Sequence, residues 1–382
     1  MTPIRILHLV HTPGPGGTEA VVANLLSWIP TTDALQALAC PDGPLATGAQ
    51  QAGIQHFPVG FDRVRRSASP LTLARSIGAM SRVTRGLAVA IREFSPDIVH
   101  AHSAKAAVLA RQCRRGGSSW MLVWHLHDYL PLGKLRRLWI LGACRASDSI
   151  LAVSRDVADT VLGSAHHATV IPNAISAPAA VDQGRGQTLL DCLGVPRGSP
   201  VLGYAGRLDP EKGVHRLLEV LLRVSEQEPS ARLLIAGVSP FRPDDAVRDL
   251  EEVAARLGLE HRVHLLGRLP DLASFYDALT LFAHPAPREP FGLVILEALA
   301  HGVPVVAFKA GGPCEILAAF DPSFLVAVGD IEAYAAACCR IIRDPGVVER
   351  VRTAGPAFVS SGFSPNVQCG ALLAHYRGML SA

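Results

Sequence analysis

"PVLGYAGRLDPEKGVHRLLE", residues 200–219, decides the fold. Val201 to Ala205 form a short apolar run with no polar alternation, cut off by Gly206. A loop then carries Arg207, Asp209, Glu211 and Lys212, Gly213 closes it, and a helical stretch with Leu217 and Leu218 follows. An apolar strand leading through a tight loop into a helix is the repeating step of a parallel sheet covered on both faces.

The same step recurs on either side. Upstream, strands are expected near 4–10, 35–40, 54–59, 97–101, 120–126, 149–153 and 168–171, with helices near 18–28, 70–93, 104–114, 135–147 and 154–163. Downstream, strands are expected near 200–205, 231–236, 262–266, 279–283, 303–308 and 324–328, again with helices between. The stretch 174–187, "AISAPAAVDQGRGQ", has no apolar period and reads as a linker. A chain of 382 residues exceeds the usual single domain. The expectation is an α/β protein of two doubly wound Rossmann-like domains facing across a cleft, residues 1–180 and 181–363. Open sheets of this kind collect ligands beyond the carboxyl ends of their strands.

Composition narrows the function. Apolar residues make up 49% and charged residues 18%, enough for large cores and too little charge for disorder. Net charge is +3, distributed as +7 over residues 1–180 and −4 over the remainder. With aromatics at 5%, nucleic acid is not an expected partner. The eight cysteines include no C-x-x-C pair, and the histidines show no zinc spacing, so reduced thiols in a cytoplasmic protein and no metal are expected. The N-terminus lacks a signal-peptide layout, and no run approaches the roughly 18 apolar residues that span a bilayer.

Four segments carry candidate chemistry. In "HTPGPGGTEAVVANLL", residues 11–26, Gly16 and Gly17 permit a tight turn, and Thr18 is the expected N-cap of a helix whose N-terminus can face an anion. A structural turn fits equally well. In "LVWHLHDYLP", residues 122–131, His125 and His127 share a strand face, and His127 at the strand's carboxyl end would enter the cleft, a structural hydrogen bond being the alternative. In the opening segment, Arg207 and Lys212 suit a pyrophosphate; a solvated turn neutralised by Asp209 and Glu211 is the alternative. No Walker-A loop is present.

"PREPFGLVILEALAHGVPVVAFKAGG", residues 287–312, places Glu297 in an apolar helical stretch. Pro290 is expected to open that helix, leaving Glu289 on the preceding loop with the N–H groups of Phe291, Gly292 and Leu293 beside it. An isolated buried carboxylate is costly, so Glu297 needs partners: ribose hydroxyls of a ligand, or backbone and His301.

Together these segments resemble the large family of retaining, nucleotide-sugar-dependent glycosyltransferases called family four, whose fold is GT-B. The resemblance spans nearly the whole chain and is strongest at 201–213 and 284–318, where two glutamates separated by seven residues sit in "EPFGLVILEALAHGVPVVAF". "DIVHAHSAKA", "HLHD", "LAVSRDVAD" and "VIPNAI" are similar to further family segments. The departures are Asn173-Ala174, where the family has Asn-Gly, and the Pro313-Cys314-Glu315 spelling.

The resemblance implies roles. Arg207 and Lys212 would hold the diphosphate of a UDP- or GDP-sugar donor. Glu289 would contact the donor sugar, with Phe291, Gly292 and Leu293 presenting backbone donors. Glu297 would take the ribose hydroxyls, His127 would line the sugar and acceptor side, and Gly16 and Gly17 would allow close backbone approach. No Asp-x-Asp motif is evident, so metal-independent transfer without a cofactor is expected. A terminal helix over 364–380 would pack back on the first domain.

Seven arginines between 61 and 92 face a single Asp62. This basic run reads either as a solvated helix face or as a contact for anionic lipid on the inner face of the cell membrane. In the second case the acceptor is lipid-linked; otherwise a glycan serves. Two other readings, a catalytically silent sugar- or nucleotide-binding subunit and a nucleotide-sugar epimerase, share the scaffold.

Overall fold

The structure, a computed structural model, describes the chain apart from residues 1, 13, 15, 62–69, 115–117, 131–133, 164–165, 179–180, 241 and 382. It divides into two compact units, Met1–Ala174 with Pro365–Ala382, and Ile175–Ser364.

Unit 1 holds a parallel sheet of β1 (Ile4–Leu9), β2 (Ala34–Cys40), β3 (Gln55–Pro58), β4 (Ile98–Ala101), β5 (Met121–Leu126), β6 (Ser149–Ala152) and β7 (Thr169–Val170). Its crossovers are α1 (Gly17–Trp28), α2 (Pro44–Gln51), α3 (Pro70–Phe94), α4 (Ala104–Arg111), α5 (Lys134–Ala146) and α6 (Arg155–Leu162). The strand order is β3-β2-β1-β4-β5-β6-β7, so the winding reverses between β1 and β4. Apolar runs such as Ile6-Leu7 and Leu122-Val123-Trp124 are fully enclosed, as strands covered on both faces require.

Unit 2 runs α7 (Gln183–Cys192), β8 (Val201–Ala205), α8 (Arg216–Gln227), β9 (Arg232–Ala236), α9 (Pro243–Arg256), β10 (Val263–Gly267) and α10 (Ala273–Asp277). It continues through β11 (Leu281–His284), α11 (Leu293–Ala300), β12 (Val305–Phe308), α12 (Gly312–Phe320), β13 (Leu325–Val326), α13 (Ile331–Arg343) and α14 (Pro345–Gly362). The sheet order is β10-β9-β8-β11-β12-β13, reversing between β8 and β11. On α8, Leu217, Leu218, Leu221 and Val224 bury one face, each worth about 1.5–3 kcal/mol. The last helix, α15 (Pro365–Ser381), belongs to unit 1 and buries Leu372, Leu373 and Tyr376 there.

Four local expectations need correction. α2 goes unpredicted because its eight residues begin at Gly43-Pro44 and carry Gly48, a composition that reads as a turn. The supposed linker is helical from Gln183, capped by Asp182, whose carboxylate accepts from the N–H groups of Gly184 and Arg185. Its glycine is there for packing: a Cβ on Gly186 would lie 2.4 Å from the backbone of Asp277. Thr18 is not an N-cap; Gly16 holds that position without any side-chain cap. Finally, α11 starts at Leu293 and not at Pro290, because Gly292 at φ 100° is in the left-handed region and admits the helix only after it.

Candidate active site

In unit 2 the loops after β8 and β11 leave the sheet side by side where its winding reverses, the position at which open α/β sheets bind ligands. The first loop brings Arg207 and Lys212, the second brings Glu289. Lys212 Nζ donates to Glu289 Oε2 at 2.8 Å, and both side chains are mostly buried. His284 Nε2 lies 3.6 Å from the same oxygen, too long for a hydrogen bond. Burial pushes the Glu289 carboxyl up, but the His284 ring and the Lys212 ammonium outweigh it and hold the group down at about 2. Glu289 is therefore a carboxylate at any working pH.

Arg207 is tethered differently. Its two terminal nitrogens contact Asp209 Oδ2 at 2.9 Å and Glu211 Oε1 at 2.6 Å, while Ser239 Oγ donates to the other oxygen of Asp209 at 2.7 Å. The neutralised-turn alternative thus describes Arg207 in part, whereas Lys212 turns away from both acids to Glu289.

The Glu289 loop is fixed by α12. Gly312 N–H donates to Glu289 O at 2.9 Å, and a Cβ on Gly312 would stand 2.3 Å from Phe291 Cα. Phe291 is buried, so its backbone, and with it Gly292 and Leu293, is held by packing.

Glu297 is half-buried on α11 and lines a hollow of about 510 Å³ with Leu269, Leu272, Tyr276 and Arg185. Tyr276 Oη donates to Glu297 Oε2 at 2.7 Å. Burial pushes this carboxyl up, opposed by the Tyr276 hydroxyl and by His301. His301 is not its hydrogen-bond partner; the ring Nδ1 pairs with Asp277 Oδ1 at 2.7 Å, and Arg185 closes on the other Asp277 oxygen. The sequence reading missed Tyr276 and Asp277, which arrive from a short helix with no motif of its own.

Unit 1 carries the remaining candidates. Gly16 and Gly17 open α1 just beyond β1, both exposed; the Glu19 carboxylate folds back over Gly16 and accepts from the Thr12 hydroxyl. His127 follows β5 and joins a cluster with His8, His100, His102 and His125. Rings two positions apart on one face lie 4.1 Å between centroids and tilted to one another, for His100 with His102 and for His125 with His127.

The expectation that the histidines hold no metal spacing considered sequence neighbours alone. Nitrogens of His8, His100 and His102, and of His102, His125 and His127, come within 4.8 Å of one another from three strands. Eight of the ten ring nitrogens, however, pair with each other, with Gln36 or with Tyr376; His125 Nε2 and His127 Nδ1 have no hydrogen-bond partner among the described residues.

The model for "Glycosyltransferase Family 4" matches residues 15–177, and that for "Glycosyl transferases group 1" matches residues 190–358. The D-inositol 3-phosphate glycosyltransferase of Corynebacterium urealyticum is 30% identical over 311 residues, 74% of this chain and 71% of that protein. The chain belongs to the family-four nucleotide-sugar glycosyltransferases.

This glycosyltransferase is also 28% identical to a GDP-mannose-dependent alpha-mannosyltransferase of Mycobacterium tuberculosis, over 96% of this chain and 94% of that one. Its structure is similar to that of Anabaena HepE in complex with UDP and glucose, with a TM-score of 0.81 at 25% identity, covering 99% and 100% of the two chains. The two Rossmann-like units are those of the GT-B fold. The glycosyltransferase uses a nucleotide sugar in glycoconjugate synthesis. Among the described residues no helix is long and apolar enough to cross a membrane. The basic run lies mostly outside what the structure describes: residues 62–69 are not described, nor are the side chains of 70–79.

Proposed function

We propose that the glycosyltransferase moves a hexosyl unit from a UDP- or GDP-sugar to an acceptor hydroxyl, with retention at the anomeric carbon and without a divalent metal. The observation that carries this reading is the Lys212–Glu289 contact, which ties a cation and an ionised acid together where the sheet winding reverses.

Glycosyl transfer leaves negative charge on the departing diphosphate and positive character on the sugar. Fixed charges already aimed at those places lower the barrier because they need no reorganisation. Lys212 has three N–H donors, and Glu289 engages one, leaving two for diphosphate oxygens. Arg207, oriented by Asp209 and Glu211, supplies a planar pair of donors to the same group. Glu289 sits as a carboxylate next to the developing positive charge. Glu297, held through Oε2 by Tyr276, accepts from ribose hydroxyls, and the hollow beside it takes the base. Attack from the face the diphosphate leaves accounts for retention without a protein nucleophile.

The acceptor is read as a glycan or lipid-linked glycan at the cytoplasmic side of the membrane, where the basic run would face anionic lipid. Nucleotide release from UDP- and GDP-sugars, with and without a chelator, tests the core of the proposal. Release with one donor, unchanged by chelator and giving a product of unchanged anomeric configuration, is expected. Sugar alteration without transfer would establish an epimerase, and binding without release a silent subunit.

A further inference from the structure

One line of the histidine cluster of unit 1 is wired in a single direction. Gln36, on β2, sends its amide nitrogen to two backbone carbonyls, Leu26 O at 3.2 Å and Ile29 O at 3.5 Å. A carbonyl oxygen cannot donate to a carbonyl, so the amide cannot be turned over, and Oε1 must be the atom facing His8 Nε2 at 3.1 Å. His8 therefore carries its proton on Nε2, and its Nδ1 is a lone pair. That lone pair stands 3.1 Å from His102 Nε2, which must donate. His102 Nδ1 is then an acceptor for His127 Nε2–H at 2.9 Å. The chain ends at His127 Nδ1, a buried lone pair with no partner among the described residues, beyond the carboxyl end of β5.

Each ring must be neutral for this logic to hold. Burial holds His8 down at about 4 and His127 at about 3, and it takes His102 well below the usual histidine range. The neighbouring pair differs. His100 Nδ1 meets the Tyr376 hydroxyl at 2.7 Å, which can donate or accept, so the direction of the His100–His125 contact is not set by its anchor.

We propose that Gln36, acting through His8 and His102, is a positioning residue that locks His127 as the Nε2–H tautomer, so that Nδ1 offers a lone pair to a substrate hydroxyl. The proposal rests on the reading of His127 as lining the sugar and acceptor side. It explains why an unmade acceptor is tolerated in a buried place: a donated hydroxyl completes it when substrate is bound. A hydroxyl is selected over an amide carbonyl or a phosphate oxygen, since only a donor is accepted there.

The test uses the full chain labelled with 15N-histidine, with His127 signals assigned by comparison with His127→Ala. In the wild type, His127 Nε2 is expected to bear the proton and Nδ1 to show the shift of a bare imidazole nitrogen. Gln36→Leu removes the anchor and is expected to yield mixed tautomers and a KM raised about tenfold, the scale of one unmade buried hydrogen bond, with a melting transition that stays cooperative at a lower temperature. A proton on His127 Nδ1 in the wild type, an unchanged tautomer in Gln36→Leu, or a stoichiometric divalent ion bound by these rings would overturn the proposal. If the tautomer responds as described but His127→Ala alters neither KM nor kcat, the contact with substrate is what fails.

Discussion

The ammonium of Lys212 lies 2.8 Å from a carboxylate oxygen of Glu289, 77 positions further along the chain. Neither group has much water around it, so each depends on the other. Lys212→Ala should therefore cost about 1–3 kcal/mol of stability and lower kcat/KM at least about a hundredfold. The double variant with Glu289→Ala should recover part of the stability and none of the turnover. Denaturant unfolding and nucleotide release on all four proteins give the coupling; additive stability losses would mean the contact is incidental.

The packing of α12 on the Glu289 loop makes a second, steric prediction. Gly312→Ala puts a methyl group 2.3 Å from Phe291 Cα, a backbone atom that cannot swing aside. The melting temperature should drop and activity should fall about tenfold or more, whereas Gly17→Ala, with nothing within 4 Å, should leave the melting temperature unchanged. Equal melting temperatures for the two variants would contradict the packing described.

Tyr276→Phe removes the hydroxyl that holds Glu297 Oε2 and leaves that oxygen short of a partner. Affinity for the nucleoside diphosphate should weaken about threefold to tenfold, and Glu297→Ala should weaken it more. Titration calorimetry with UDP and with GDP measures both effects and identifies the base. Unchanged affinity in Glu297→Ala would remove Glu297 from the ribose.

Acid should erode stability in two overlapping stages. His8 and His127 have folded values of about 4 and 3, below the unfolded value of 6.5, so the unfolded chain binds more protons between those limits. Stability is full above about pH 6.5 and falls as pH drops towards 4, at up to about 1.4 kcal/mol per unit for each such ring. Glu289, held at about 2 against 4.5, adds a second loss between those values. Melting temperatures from pH 7.5 to 4 test the first stage, and a flat profile would exclude it.

Much of the architecture was legible because strands covered on both faces must be apolar throughout, and runs such as Leu122 to Trp124 or Leu281 to Ala283 have no other use. Segments with mixed signals misled. Gly184 and Gly186 read as linker chemistry, yet Gly186 is small because Asp277 presses on it. Among the site residues, Arg207, Lys212, Glu289 and Glu297 stood out as charges in strand-end or apolar settings. Their pairings did not, since the contact between Lys212 and Glu289 is made by strand order, which no local window contains. His8 is a single polar residue in an apolar run, and His100 and His102 carry no motif that names a site. The signal available was their alternation, His100 with His102 and His125 with His127, which puts pairs on one face; the neighbour relation of β1, β4 and β5 that merges them is a property of the fold.

Unit 1 is assembled from two stretches of chain with all of unit 2 between them, and α15 supplies the Tyr376 hydroxyl that meets His100. During translation the ribosome delivers unit 2 entire before the strand-bearing portion of unit 1 receives its final helix. Unit 1 therefore lacks its final helix until unit 2 has been synthesised, and a product shortened before Pro365 would leave uncovered the surface that Leu372, Leu373 and Tyr376 pack against.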